Sequence, residues 1–245
     1  MFLNSGSGTN IQFASTSGLA ISFINYPRNI ITDNLVLYLD PSSYPGSGTT
    51  YTDLSGFGHN FTKISGTYIT SPIKCFQAGI FNATNFITDN LTIQVWINTT
   101  GVGTQTVHYR LMQIMSAEIP GNPGDPTDFG FGINNTGKLA YGNGGADITV
   151  ATTTSVNTGT WVNVAVTRTK SSGAVKLYIN GQLSRSGTSG SGNALNVQTN
   201  LQIGAGTDGG TNWSGFMAVF LTYSSVLSDA DILTNFYATR AIYGI

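Results

Sequence analysis

The chain has 245 residues, 40% of them hydrophobic and only 9% charged, with ten Lys and Arg against eleven Asp and Glu and a single cysteine. Near-neutral charge excludes binding to nucleic acid by counterion release, the lone Cys75 excludes an intrachain disulfide and any metal site built on cysteine pairs, and no segment approaches the roughly 20 apolar residues that cross a bilayer. A charged share this far below the roughly 25% of ordinary domains leaves Thr, Ser, Asn and Gly to build the surface, which suits a protein fixed in an assembly or working outside cells.

Residues 1–29 are rich in Gly, Ser and Thr and read as an N-terminal arm outside the main core. They lack a basic n-region and an uninterrupted apolar run, so no secretory signal is read there. Tyr26 precedes Pro27 and is held extended, which places a boundary near Asn29. A single domain is expected over 30–245, since all-β sandwiches of this length fold as one unit.

Beyond the boundary, period-two alternation takes over, the mark of strands with one buried face. Leu35, Leu37 and Leu39 share a face. Leu91, Ile93, Val95 and Ile97 form a second stripe with Thr92, Gln94 and Trp96 opposite. Val162, Val164 and Val166 form a third, after Trp161, and Val175, Leu177 and Ile179 a fourth. The polar turn Lys170–Ala174 makes the last two an antiparallel hairpin, and Asn180-Gly181 supplies the positive φ of the next tight turn, from which Gln182 and Leu183 begin the return. Ser184 to Asn200 reads as a long loop, as does Ile119 to Asp128. Strands are legible again at Leu201–Ile203 and at Phe216–Tyr223. One helix is signalled, near the C-terminus, where Ser228 is the N-cap and Asp231 sits at the capping-box position ahead of Ile232 and Phe236. The pentapeptide Ile-Thr-Asp-Asn-Leu occurs at 31–35 and 87–91; its Asx residues start turns and its Leu opens a buried stripe, so both copies mark strand entries rather than a duplicated domain.

Three stretches in this order, LVLYLDPSSYPGSGTTYTDLSGFGHN, TWVNVAVTRTKSSGAVKLYINGQL and LQIGAGTDGGTNWSGFMAVFLTYSSVLSDADILTNFYATRAIYG, resemble the concanavalin A-like, laminin G-like jelly-roll family, in the versions found in viral and phage structural proteins. The resemblance covers about residues 29–244. It implies an all-β, two-sheet antiparallel jelly-roll sandwich with one short C-terminal helix, in agreement with the strand pattern. The chain departs from the family at Val219, where an acidic residue is common, and at Ser225, where an Arg is common. The Glu-x-Asp-x-x-Glu strand of the glucanase branch has no counterpart here.

Catalytic chemistry is poorly supplied. Glycoside hydrolysis uses two facing carboxyl groups, yet Glu118 is the only glutamate, and Asp229 with Asp231 lies at the helix start, where capping explains them. Gly204 to Gly209 satisfies G-x-G-x-x-G but runs into a strand instead of the helix a dinucleotide site requires. His59, His108 and Cys75 have no nucleophile elbow beside them. Five Asn-x-Ser/Thr sequons, at Asn60, Asn82, Asn90, Asn98 and Asn212, follow from the Asn- and Thr-rich composition. No enzyme and no obligate cofactor are expected.

Lectin-like members of the resembled family bind calcium through rim loops, which makes Asp125, Asp128 and Asp208 weak Ca2+ candidates against an Asx-turn reading. A sugar site of that family pairs an exposed aromatic with amides, for which Tyr141, or Trp213 beside Asn212 and Asp208, has the chemistry; for Trp213 core or edge packing is the favoured reading and sugar stacking the minority one. The functional expectation is a non-enzymatic virion structural protein, a capsid decoration or a tail or fibre component on the particle surface. Its partners would be other virion proteins, copies of itself and a cell-surface glycan, with no nucleic acid and no membrane insertion. The alternative is a carbohydrate-binding lectin-like module, with a glycoside hydrolase ranked third.

Overall fold

Alternating apolar side chains dictate strands with two unequal faces, and the computed structural model arranges them as an antiparallel jelly roll. It describes residues 29–87, 90–117, 125–144, 149–195, 199–205 and 211–245; the arm expected at 1–29 falls outside these except for Asn29. In chain order the strands are β1 (Leu35–Leu39), β2 (Thr50–Tyr51), β3 (Phe61–Ile69), β4 (Cys75–Thr84), β5 (Leu91–Asn98), β6 (Met112–Ala117), β7 (Phe129–Ile133), β8 (Lys138–Asn143), β9 (Thr149–Ser155), β10 (Val162–Thr169), β11 (Ala174–Ile179), β12 (Gln182–Thr188), β13 (Asn200–Ile203) and β14 (Phe216–Tyr223). Helix α1 (Asp229–Thr239) follows, prolonged by a 3-10 turn over Arg240–Tyr243.

The hydrogen-bonded ladder runs β12-β11-β10-β5-β14-β4-β13-β6-β7-β8-β9, with β1 on β14 and β3 bridging β2 and β4. It rolls over at β4. The first residues of that strand pair with β14 and the last with β13, and Ala78 between them adopts a φ of 48°, the kind of kink by which a strand changes layer. The two ends of the ladder then meet, so closely that a Cβ on Gly187 of β12 would lie 2.8 Å from Val150 of β9.

One core fills the space between the layers. Of the stripes read from sequence, Leu37 and Leu39, Leu91 to Ile97, Val162 to Val166 and Val175 with Leu177 face Ile114, Phe129, Phe131, Ile133, Leu139 and Ile203 across it, whereas Leu35, expected on the face of Leu37, lies beyond a register shift in β1 and joins the outer cluster. A second cluster lies on the outer face of β5, β10 and β14, where α1 covers Trp96, Ala165, Ala218 and Leu221 with Ile232, Phe236 and Tyr243. Strand β5 is consequently buried on both faces from Leu91 to Ile97.

The polar residues on that outer face are consumed by the helix. Gln94 donates through Nε2 to Asn163 Oδ1 at 2.7 Å and to the Ile232 carbonyl at 3.1 Å, and accepts from Asn235 Nδ2 at 3.0 Å. Asn235 in turn accepts from the Ile31 amide at 2.8 Å and donates to Tyr223 Oη, whose hydroxyl donates to the Ile31 carbonyl. The segment entering β1 is thereby pinned to the helix. The capping box is present as read: Ser228 accepts from the Asp231 amide, and Asp231 accepts from the Ser228 amide at 3.2 Å.

A further reading needs correction. Ser184 to Asn200 is not a loop throughout, because β12 continues to Thr188 as a polar edge strand whose exposure hides its alternation. Arg168, a charged residue at the end of the Val162–Val166 stripe, points inward in register with Val164 and Val166; it is fully buried and donates to the carbonyls of Gly190 and Asn193 at 3.0 and 2.7 Å.

Candidate functional site

Tyr141 and Trp213 are corrected first, because the fold removes both from the surface. Tyr141 lies opposite Phe131 in the β7–β8 ladder and shares the inward parity of Leu139, so its ring is in the interlayer core at 0% exposure and burial pushes its phenol pKa well up. Trp213 is 2% exposed in the same core, its amide donating to the Gly204 carbonyl at 2.8 Å. Neither ring can stack on a sugar. Asn212 is exposed next to it, and Asp208 lies outside the described residues.

The calcium candidates have other partners. Asp125 Oδ1 accepts from the Thr127 amide at 2.8 Å and from the Thr127 hydroxyl, an Asx turn. Asp128 is buried, with Oδ1 3.1 Å from His108 Nε2. Burial raises its carboxyl pKa above the ordinary value while the His108 contact pulls the other way. Among the described residues no three His, Cys, Asp or Glu side chains gather as a metal site.

A different feature has the geometry of a binding site. Phe216, the first residue of β14, pairs with Gln77 of β4 on one side and with Asn98 of β5 on the other. Extending the β10–β5 register, in which Val162 faces Ile97, by one residue sets Trp161 beside Asn98. Directly opposed residues share a face, so four strands present a row of amide, aromatic, amide and aromatic: Gln77, Phe216, Asn98, Trp161.

The row lies just past the point where the helix stops covering the outer face. There Tyr243 stacks on Trp96 at 4.0 Å between centroids and contacts Trp161 at 4.8 Å. The β3–β4 turn, through Ile69, Ser71, Pro72 and Ile73, raises the opposite wall. Between the walls is a half-open cleft of about 330 Å³ with Cys75 at its base. Cys75 is 3% exposed, and burial pushes its thiol up to about 11. Gly215 permits the close approach of β14 to β5: its φ is 118°, and a Cβ there would meet the Asn98 carbonyl oxygen at 2.4 Å.

Carboxylates are absent from this lining. A laminin G-type model, described as the Concanavalin A-like lectin/glucanases superfamily, matches residues 76–233. The chain belongs to this superfamily. Among solved structures it is similar to the binding domain of paraclostridial mosquitocidal protein 1 (TM-score 0.60, 15% identity, 84% of this chain and 52% of that one). It is also similar to the binding domain of botulinum neurotoxin DC in complex with SialylT (TM-score 0.60, 17% identity, 84% and 52%). A third match is to a botulinum neurotoxin type C structure whose description makes cell entry dependent on two ganglioside molecules (TM-score 0.58, 18% identity, 85% and 52%). At these identities the likeness is one of fold, and the chain spans about half the length of those domains. A search of curated proteins by sequence returns no match.

The superfamily includes lectins and glucanases. The cleft's polar groups are the amides of Gln77 and Asn98, the hydroxyl of Ser71, the indole N–H of Trp161 and the thiol of Cys75, and the pair of carboxyl groups that glycoside hydrolysis ordinarily uses is not among them. The sequence reading assigned none of Gln77, Asn98, Trp161 and Phe216 to a site. The signal available for Asn98 was its parity with Thr92, Gln94 and Trp96, which assigns it to the outer face.

Proposed function

We propose that the protein is a carbohydrate-binding, lectin-like module that holds an uncharged sugar in this cleft and does not cleave it. The observation carrying the proposal is the Gln77–Phe216–Asn98–Trp161 row. A pyranose has an apolar C–H face and an equatorial rim of hydroxyls; aromatic rings match the first, while primary amides, each both donor and acceptor, match the second. No lining residue carries a charge at neutral pH, since the Cys75 thiol stays protonated. The glycan-related descriptions of the structurally similar toxin domains favour this reading over a virion component, for which neither the fold nor the matches offers support. No helix among the described residues is long and apolar enough to cross a membrane.

The test is a glycan array followed by calorimetry on the strongest neutral ligand. Trp161→Ala is expected to weaken binding at least tenfold with an unchanged circular dichroism spectrum, and Asn98→Ala by a smaller factor. An array without signal, or binding indifferent to Trp161, overturns the proposal.

A further inference from the structure

The row that floors the cleft continues beyond it. Thr67 of β3 pairs with Gln77 of β4 and carries the row onto a fifth strand, giving Thr67, Gln77, Phe216, Asn98 and Trp161 in spatial order. Thr67 and Gln77 are exposed, and Phe216, Asn98 and Trp161 are half-buried. Strand β2 pairs with β3 only at Phe61 and Thr62, so among the described strands none lies beyond Thr67, and the row leaves the cleft at a free edge. Neighbouring strands lie about 4.8 Å apart, so five of them make a ledge about 19 Å long. A single pyranose ring is no larger than a six-membered aromatic ring and leaves most of such a ledge bare.

The ledge is also twisted. Trp161 and Phe216 stand two strands apart, their rings tilted by 45° with centroids 6.5 Å from each other. Adjacent strands rotate by about 20 to 25°, so two steps turn a sheet by about 40 to 50°. The angle between the rings matches the twist of the sheet that carries them. Glycan chains packed side by side in a crystal present coplanar rings, against which two tilted aromatics cannot both lie flat. A single chain in solution turns from one sugar to the next and can meet each ring in succession.

The polar members of the row keep their hydrogen-bonding capacity. Among the described residues no partner engages the side chains of Thr67, Gln77 or Asn98. Each aromatic therefore has an amide beside it, and the row ends on a hydroxyl that both donates and accepts. We infer that the site takes a run of about three sugars from a single, turning, neutral glycan chain laid across the strands from Trp161 to Thr67, one sugar on each aromatic and one over the Gln77–Thr67 end. This rests on the carbohydrate reading of the cleft and narrows it from a sugar to an internal stretch of chain. Thr67 is then the residue that distinguishes a long ligand from a short one.

The experiment titrates the full chain, Thr67→Ala and Trp161→Ala with gluco-, manno- and xylo-oligosaccharides, from the methyl glycoside to the hexasaccharide, and measures retention on microcrystalline cellulose as the flat surface. Thr67 is exposed, and an unchanged melting temperature of its variant is checked first. In the preferred series, affinity is expected to rise at least tenfold from the methyl glycoside to the trisaccharide and then to level off. Thr67→Ala should weaken the trisaccharide and longer chains by about threefold to tenfold, the equivalent of one net hydrogen bond, and leave the methyl glycoside unchanged. Trp161→Ala should weaken every length. Affinity that depends on Trp161 but does not rise with length overturns the ledge and leaves the cleft as a single-sugar site. A rise with length that is indifferent to Thr67→Ala, or retention on microcrystalline cellulose without binding of soluble oligosaccharides, also overturns the ledge. A parent that binds none of these probes overturns both the ledge and the carbohydrate reading.

Discussion

Replacing Asp53 by Asn keeps the shape of the side chain and changes only its acceptors and charge. The retained oxygen still serves the Tyr38 and Ser55 amides, but the new NH2 faces the His59 N–H, donor against donor. A charge-assisted hydrogen bond contributes about 1.5 to 3 kcal/mol and an unmet buried donor costs a similar amount, so the variant should lose about 3 kcal/mol, or about 6 to 12 °C in melting temperature for a chain of this size. Urea denaturation across pH provides the check. Burial pushes the Asp53 carboxyl up, but the donors from Tyr38, Ser55 and His59 outweigh it and hold the pKa below the ordinary 3.8. A depressed carboxyl contributes stability that is present above its unfolded value and disappears as pH falls through the folded one. The gap between parent and variant should therefore be constant above about pH 5 and close in stronger acid. Equal stability at neutral pH, or a gap indifferent to acid, would refute the role assigned to Asp53.

Gly204→Ala should destabilise by more than about 3 kcal/mol in the same assay, because the residue has a φ of 73° and a Cβ would lie 1.9 Å from the Gly79 carbonyl oxygen; a loss under about 1 kcal/mol contradicts this. In alkali, burial raises the Cys75 thiol from 9.0 to about 11 and pushes the phenols of Tyr141, Tyr178 and Tyr223 up from 10.0. The unfolded chain then releases protons first, so stability should fall steadily as pH rises above about 9, and a flat melting temperature up to pH 11 would count against the burial of these groups.

Sequence patterns revealed strands where one face is wet and the other dry, or where the apolar side chains are branched, as at Val162 to Val166. They failed where that contrast vanishes. Strand β7, Phe-Gly-Phe-Gly-Ile, has glycines at alternate positions where neighbouring backbone comes close: a Cβ on Gly130 would be 2.5 Å from the His108 carbonyl oxygen, in the turn before β6, and one on Gly132 2.2 Å from that of Met112, the first residue of β6. Strand β3 has exposed residues at both parities and shows no period at all. The cleft was illegible for another reason, since Gln77, Asn98, Trp161 and Phe216 come from four strands whose register is a tertiary property. Tyr141 was mistaken for a surface ring because proximity to amides in the chain was given more weight than inward parity, whereas Trp213 packs in the core as its favoured reading had it. For Tyr141 that parity was already visible in the alternation of Leu139 and Tyr141.

The C-terminal strap works as a ruler laid on the sheet. Its last aromatic, Tyr243, stacks on Trp96 and touches Trp161, and Gly244 then turns away with a φ of 73°. Everything under the ruler is sealed; the next row of side chains is left open. A strap that ended at Thr239 would take the Tyr243 ring off Trp96 and Trp161 and leave Trp96 held only by Phe236 and Thr239, opening more of this face. A scaffold of this kind can change how much of the sheet face lies open by altering the length of the strap alone, with every strand untouched.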